Sequence, residues 1–176
     1  MNEAMQTLVT PAEPIAGMPL CGRYFVTVER NDPYWGARMG TREYFQSGNV
    51  VVQNGMTMLA RYVSSYGVGA NSQMVAIGIG TATTAASVNQ TTLTGEVKRL
   101  AFSAVSVTTA NSWSAVSTFG GGTDSLVNVV VGEAGVWNSV SSGAGVMFNR
   151  APLSATFTLQ SSDVAAVQVI VSVGRL

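Results

Sequence analysis

The stretch "ATFTLQSSDVAAVQVIVSV", residues 155–173, decides the fold class of this chain. Apolar and polar residues alternate in "ATFTLQ" and again in "VQVIVSV", and the polar run "SSD" separates the two halves. Alternation with a period of two is the pattern of a half-buried β-strand, and a polar cluster between two such runs indicates a turn. The stretch therefore predicts two strands, Leu153 to Gln160 and Val164 to Val173, joined by a turn.

The same pattern continues upstream as far as residue 73. Runs rich in β-branched residues are separated there by clusters of Gly, Ser, Thr and Asn, such as "GVGANS", "TTAN" and "GGGTD". The further predicted strands are Gln73 to Ile79, Val97 to Val107, Ser112 to Phe119, Leu126 to Val131, Gly135 to Asn138 and Val146 to Asn149. Regularly spaced short strands without helical periodicity between them are typical of a sandwich or barrel. We predict an all-β, jelly-roll-like antiparallel β-sandwich over residues 49–176.

One short helix is predicted near residues 55–66, within "NVVVQNGMTMLARYVSSYG". Apolar residues from Met58 to Tyr66 recur there at spacings of three and four, and Gly67 ends the pattern. A short β-rich run, Val50 to Val52, precedes it. We expect this helix to pack over one end or face of a sheet, without a chemical role.

Residues 1–48 predict an extended N-terminal arm followed by an interface segment. The first 20 residues contain three prolines and no sustained periodicity, which favours an extended segment, either a disordered tail or an arm that orders on a neighbouring subunit. The rest contains a short strand candidate, Tyr24 to Val28, and a turn at "NDPYWG". It is rich in aromatic residues and arginine, as protein interfaces are, although the same rings could cap one end of the core. The predicted partner-contact residues are Leu8, Ile15, Arg23, Tyr24, Phe25, Tyr34, Trp35, Arg38 and Arg42.

The charge content of the chain is low and balanced. Nine Lys and Arg face nine Asp and Glu, and charged residues make up 10% of the 176 residues. No excess of positive charge would recruit nucleic acid or anionic lipid, no apolar run is long enough to span a bilayer, and "MNEAMQTLV" lacks the features of a signal peptide. We expect no nucleic-acid or membrane partner. A surface so poor in charge suits a protein that is mostly covered, which predicts a dimer, a trimer or a component of a larger assembly, although a secreted β-domain could have the same composition.

The residue types needed for common catalytic sites are scarce. The chain has no histidine and a single cysteine, Cys21, so it lacks the usual general base and the usual zinc ligands. Paired carboxylates or a Ser/Lys arrangement remain open. The "GIGT" run at Gly78 to Thr81 resembles a phosphate-binding loop, but neither a lysine nor good helix formers follow it, so we interpret it as a strand that ends in a tight turn. We expect no enzymatic activity, no cofactor and no metal site.

Charged residues are concentrated at three positions of the predicted sandwich. Glu96 and Arg99 open one strand, Glu133 precedes "AGVW", and Arg150 follows "VMFN". In a regular strand, Glu96 and Arg99 would lie on opposite faces. Glu96 with Glu133 would make a glycosidase pair, but we favour structural ion pairs among Glu96, Arg99, Glu133 and Arg150, which would fix the register of the strands.

The order of these motifs over residues 49–173 resembles a group of tailed-bacteriophage virion proteins, which include head decoration, head fibre and tail proteins. The residues that carry the resemblance are Gly78, Gly80, Thr81, Leu93, Glu96 and Arg99, then Glu133, Gly135, Met147, Phe148 and Arg150. Val136 departs from the usual pattern, which has Leu or Phe after "EaG".

The resemblance implies a virion structural protein that assembles in the host cytoplasm and has no catalytic role. The first expectation is a capsid decoration, or cement, protein that binds across subunits of the major capsid protein. A tail fibre, baseplate or collar component that binds tail proteins is the alternative. A third interpretation is a glycan-binding module for host attachment, with contacts from loops such as "TFGGGTDS" and "SSGAGV".

Overall fold

The structure is a computed structural model that describes residues 20–32, 36–48, 50–57, 73–109 and 112–173. The strands in chain order are β1 (Leu20–Asp32), β2 (Gly36–Gly48), β3 (Val50–Val51), β4 (Ala76–Gly80), β5 (Glu96–Ala101), β6 (Ala104–Thr109), β7 (Ser112–Gly120), β8 (Val130–Trp137), β9 (Met147–Thr158) and β10 (Val164–Val173). A short helix covers residues 53–57, and the rest of the helix predicted near 55–66 lies outside the described residues. No helix in the described ranges is long and apolar enough to cross a membrane.

The strands form two antiparallel five-stranded sheets, as the alternating pattern predicts. The first sheet has the order β2-β1-β10-β7-β6, and the second has the order β3-β9-β8-β4-β5. The predicted all-β sandwich-like fold is confirmed. The turn at "SSD" carries the chain from β9 in the second sheet to β10 in the first, so the two strands of the opening stretch face each other across the core rather than pairing edge to edge.

The main core lies between the sheets and is built from the inward-facing residues of both. Val26 of β1, Ile77 of β4 and Val169 of β10 are at most 1% exposed and belong to one apolar cluster. A polar contact also crosses this core, because the Tyr24 hydroxyl donates a 2.5 Å hydrogen bond to Oδ1 of Asn149 in β9. Burial raises the pKa of the Tyr24 phenol well above its ordinary value of 10.0.

Residues 20–48 belong to the sandwich, so the domain boundary predicted at residues 48–49 is wrong. Strand β1 lies between β2 and β10 in the first sheet. Its register with β10 runs from Leu20 opposite Val173 to Glu29 opposite Val164. The alternating pattern identified part of β1, but no local pattern shows that a strand pairs with another some 140 residues away. The proposed arm itself, residues 1–19, lies outside the described residues.

The strand predicted over Val97 to Val107 is two strands in different sheets. The chain leaves β5 at Ala101 and enters β6 at Ala104, where it joins the opposite sheet. The Ser103 amide donates a 2.7 Å hydrogen bond to the carbonyl of Val116 and so starts the new pairing. A continuous β-rich run can therefore contain a crossing between sheets that the period of two does not reveal.

Two other pairs of predicted strands are each a single strand. Leu126 to Val131 and Gly135 to Asn138 contribute to β8, while Val146 to Asn149 and Leu153 to Gln160 contribute to β9. Gly135 does not interrupt β8: a Cβ there would lie 2.8 Å from the Asn149 carbonyl oxygen, so the glycine permits close strand contact. Pro152 is tolerated in β9 because the register with β8 shifts beside it.

The outer face of the second sheet is also covered. The connection between β4 and β5, residues 81–95, folds over this face and buries Leu93. A second, smaller apolar cluster forms there from Val52, Ala76, Leu93, Trp137 and Met147. The second sheet is therefore buried on both faces around β4 and β8, whereas the outer face of the first sheet is only half-buried.

Candidate functional site

The "GIG" run of β4 makes room for side chains of β8. All five residues of β4 are buried, and Gly78 and Gly80 lie on the outer face of the second sheet. A Cβ on Gly78 would lie 3.1 Å from Nε1 of Trp137, and one on Gly80 would lie 2.5 Å from Oε1 of Glu133. Residues 81–95 contain no helix. The run is thus a strand whose missing side chains leave space for a tryptophan and a glutamate, in line with the rejection of a phosphate loop.

Glu133 is a fully buried carboxylate whose two oxygens are both engaged. Oε2 accepts a 2.5 Å hydrogen bond from Nε of Arg150, and both side chains are 0% exposed. Oε1 accepts a 2.8 Å bond from the amide of Gly95, and the Thr94 amide lies 3.4 Å from Oε2. Burying this charge is tolerable because it has both a cationic partner and backbone donors.

Arg150, the partner of Glu133, also binds residues of the 81–95 connection. Its Nη1 donates to the carbonyl of Ala85 at 3.1 Å and to Oε1 of Gln90 at 3.0 Å, while Nη2 donates to Oγ1 of Thr84 at 3.2 Å. The guanidinium group holds residues 84–90, and Glu133 holds residues 94–95. Together they fasten the 81–95 segment onto the sheet; we call this pair the first clasp.

The Glu96–Arg99 pair fastens a second loop. Nε and Nη2 of Arg99 donate to the two oxygens of Glu96 at 3.0 and 2.6 Å, a bidentate arrangement. The expectation that these residues lie on opposite faces is wrong, because the pairing of β5 with β4 shifts register between Ile79 and Gly80. Lys98 lies opposite Ile79 and Glu96 lies opposite Gly80, so Val97 is an extra residue in β5. This bulge places Glu96 on the same face of the sheet as Arg99.

Arg99 uses its remaining donors on the β8–β9 connection. Nη1 lies 3.3, 2.9 and 2.7 Å from the carbonyl oxygens of Ser139, Ser141 and Ala144. The guanidinium carbon also lies 3.5 Å from the ring centre of Trp137, which is a cation–π contact. The Arg99 side chain is only 1% exposed. We call the Glu96–Arg99 pair with this loop the second clasp.

The two carboxylates of the glycosidase alternative lie on the strands that flank β4. Glu96 and Glu133 both pair with Gly80, from opposite sides, so their Cα atoms stand two strand spacings apart, roughly 10 Å. Each carboxylate is bound to its own arginine, so both have a structural contact.

Two further ion pairs lie at the ends of strands. Arg30 contacts Asp163 at 2.5 Å, and Lys98 lies 3.5 Å from Asp124. These four ion pairs use eight of the ten charged side chains that the structure describes; of the other two, Arg23 is exposed and Glu29 has an interaction partner of its own. Among the described residues, no group of three or more His, Cys, Asp or Glu could hold a metal ion. Within the described residues, charge thus serves mainly internal contacts.

The glycine-rich loop of the glycan hypothesis has a structural explanation. A Cβ on Gly121 would lie 1.8 Å from the Gln160 carbonyl oxygen, and one on Gly122 would lie 2.8 Å from that of Ser161. The Gly121 amide donates to the carbonyl of Asp163 at 2.9 Å. The glycines of "TFGGGTDS" therefore allow two loops to pack backbone against backbone, and nothing in this packing indicates a sugar.

The predicted partner contacts separate into three groups. Leu8, Ile15, Tyr34 and Trp35 lie outside the described residues, and the side chains of Arg38 and Arg42 in β2 are not described. Tyr24 is fully buried in the main core, so its assignment as a partner contact is wrong; its position in β1 points it inward. Arg23 is exposed and Phe25 is half-buried, and both lie on the opposite side of β1.

That side of the first sheet carries, between Arg23 and Glu29, an uncharged surface that the sequence did not indicate. Residues paired across antiparallel strands share a face, so Phe25, Gln168 and Val116 form one row, and Thr27, Ala166 and Thr118 form the next. We call these two rows the outer face of the first sheet. Apart from Thr118, which is exposed, their side chains are half-buried, and none of them is charged. This face is a candidate interaction surface.

Comparison with protein-family models, with curated proteins and with solved structures finds no match to this chain.

Proposed function

We propose that this protein is a non-enzymatic structural protein of a bacteriophage virion, a decoration protein that binds across major capsid protein subunits and stabilises the head. The observation that carries the proposal is that most of the described charged side chains form ion pairs within the molecule rather than a charged surface. Of the ten described charged side chains, eight form ion pairs within the molecule and Glu29 also has an interaction partner, while the two rows that define the outer face of the first sheet carry no charge. A surface with so little charge gives weak repulsion between molecules and suits permanent coverage by neighbours.

The residues behind the bacteriophage resemblance also support this function. Gly78 and Gly80 make room for Trp137 and Glu133, and the charged residues of the motif form the two clasps. These motif residues thus serve to hold long loops on a sheet. A protein selected for rigidity under mechanical load would use buried charge in this way, because every donor and acceptor of a clasp fixes the position of a loop.

The proposed mechanism is the addition of contact area between capsid subunits. A stable protein–protein interface buries roughly 1,600 Å² in total, and the outer face of the first sheet, with Arg23 at its rim, supplies a patch of apolar and polar side chains for such a contact. Aromatic and arginine side chains are the usual anchors of interfaces, and Phe25 lies within this face. A tail position would use the same physical properties, so copy number distinguishes the two locations.

The first test is the number of copies per particle. We expect quantitative mass spectrometry of purified virions to find this chain at a ratio to the major capsid protein near one or a simple fraction such as one third. A ratio on the order of one in a hundred would reject the decoration role and place the protein in the tail or at a single vertex. Absence from the particle would reject the virion assignment altogether.

A pair of matched variants tests the contact surface. Gln168→Glu places a charge in the centre of the outer face of the first sheet with little change in shape. Ser154→Glu places the same charge on β9 in the other sheet, at an exposed position. We expect Gln168→Glu to reduce binding to heads by about tenfold or more and Ser154→Glu to leave it unchanged. Equal binding by both variants would show that this face is not the contact surface.

A further inference from the structure

The four edge strands of the two sheets are protected from association to very different extents. Strand β3 has only two residues, β5 carries Glu96, Lys98 and Arg99 together with a bulge, and β2 contains three charged residues. Short length, charge and bulges are the devices by which proteins prevent an edge strand from pairing with another chain. Strand β6, the fourth edge, has the sequence "AVSVTT", with no charge and no proline.

Strand β6 also exposes apolar side chains on the core side of its sheet. Val105 and Val107 are 61% and 79% exposed, the highest values for large hydrophobic residues in the described ranges. Both point to the side of the sheet that carries Ala115 and Trp113, but they extend beyond the cover of the second sheet. The register of β6 with β7 is regular from residue 104 to residue 107 and shifts only between Val107 and Thr109. Four residues of β6 thus form a regular edge with which no other described strand pairs.

We infer that β6 is the self-association edge of this protein and pairs antiparallel with β6 of a second copy about a two-fold axis. A symmetric pairing places a strand opposite itself, so any charge on it would face a like charge; β6 has none. Val105 and Val107 lie on one face of β6, so pairing brings the valines of both copies together and removes them from water. The two first sheets join into one ten-stranded sheet.

This inference specifies the self-association within the proposed function, but it is tested on the purified protein and needs no virion. Val107→Lys adds a charge to the pairing edge of each copy, so the two copies of β6 repel each other. Val130→Lys is the matched control, because Val130 is 45% exposed and lies on β8 in the other sheet. Circular dichroism spectra and melting curves of both variants establish that each is folded.

We expect sedimentation equilibrium to show a dimer for the unchanged protein and for Val130→Lys, and dimerisation about 100-fold weaker for Val107→Lys. Hydrogen exchange should show β6 amides that are protected in the dimer and exchange faster on dilution. A monomeric unchanged protein, or a Val107→Lys variant that dimerises as tightly as the control, would overturn the inference. A monomer with protected β6 amides would overturn it as well, because the edge would then be covered within one molecule. Copy number in the virion is independent of these outcomes.

Discussion

The first clasp gives the sharpest prediction about stability. In Arg150→Met, the Glu133 carboxylate stays buried but loses its cationic partner, retaining only the two amides of residues 94 and 95. The carbonyl of Ala85 and the side chains of Thr84 and Gln90 lose their bonds to the guanidinium group at the same time. Removing one member of a fully buried pair typically costs about 3–5 kcal/mol, because an uncompensated charge remains.

That cost corresponds to a large change in melting temperature. For a chain of this size, 1 kcal/mol shifts the melting temperature by roughly 2–4 °C, so we expect a decrease of about 6–20 °C. Lys98→Met is the matched control, since it removes a cation from a pair separated by 3.5 Å whose side chains are 34% and 17% exposed. Such a pair contributes about 0–1 kcal/mol, which predicts a decrease of no more than about 4 °C.

The assay is equilibrium unfolding followed by circular dichroism, with hydrogen exchange to locate the effect. Residues 81–95 should lose protection in Arg150→Met and keep it in Lys98→Met. The double variant Glu133→Gln/Arg150→Met should be more stable than Arg150→Met alone, because the unpaired buried charge is removed while an oxygen remains to accept from Gly95. Equal decreases for Arg150→Met and Lys98→Met, or a double variant less stable than Arg150→Met, would refute the reasoning.

Three further outcomes follow from the same contacts. Because burial raises the Tyr24 pKa, the phenol stays protonated in the folded state above pH 10, where it ionises in the unfolded chain. The free energy of unfolding of the unchanged protein should therefore fall by up to about 1.4 kcal/mol per pH unit above pH 10. Denaturant titrations of Tyr24→Phe at pH 9 to 11 should lack this part of the decrease. Gly80→Ala should cost about 2 kcal/mol or more in thermal unfolding because its Cβ would lie 2.5 Å from a buried carboxylate oxygen, whereas Gly48→Ala, with nothing within 4 Å, should change stability by well under 1 kcal/mol. Arg99→Lys keeps the charge but loses the bidentate fork, so hydrogen exchange over residues 138–146 should accelerate, and unchanged protection there would contradict the role of the second clasp.

Much of the fold could be predicted from local patterns. The period-two alternation of "VQVIVSV" fixed Val164–Val173 as a strand with the bounds that the structure has. The β-rich composition and polar turns fixed the all-β class. The positions where strands end were harder to predict. The chain crosses between sheets at Phe102 without any change in its β-rich composition. A glycine such as Gly135 can either interrupt a strand or permit close packing within it.

The candidate site was predictable as a set of residues but not as a set of contacts. Glu96, Arg99, Glu133 and Arg150 stand out in a chain with 10% charged residues. Their pairing depended on a bulge in β5 and on the position of residues 81–95, which no periodicity encodes. For Tyr24, the residue type suggested an interface, but the structure places its side chain in the core, because this position of β1 faces the other sheet.

The class of fold, the scarcity of charge and the absence of histidine follow from the amino-acid sequence alone, because they depend on composition and on patterns a few residues long. Three features became apparent only in the folded molecule: β1 pairs with β10, the two arginines hold loops, and β6 is, among the described edge strands, the one that is neither very short nor charged. These features depend on which distant segments meet. Contacts between segments far apart in the chain are selected by the packing of the whole core, so they emerge only when every strand is in place.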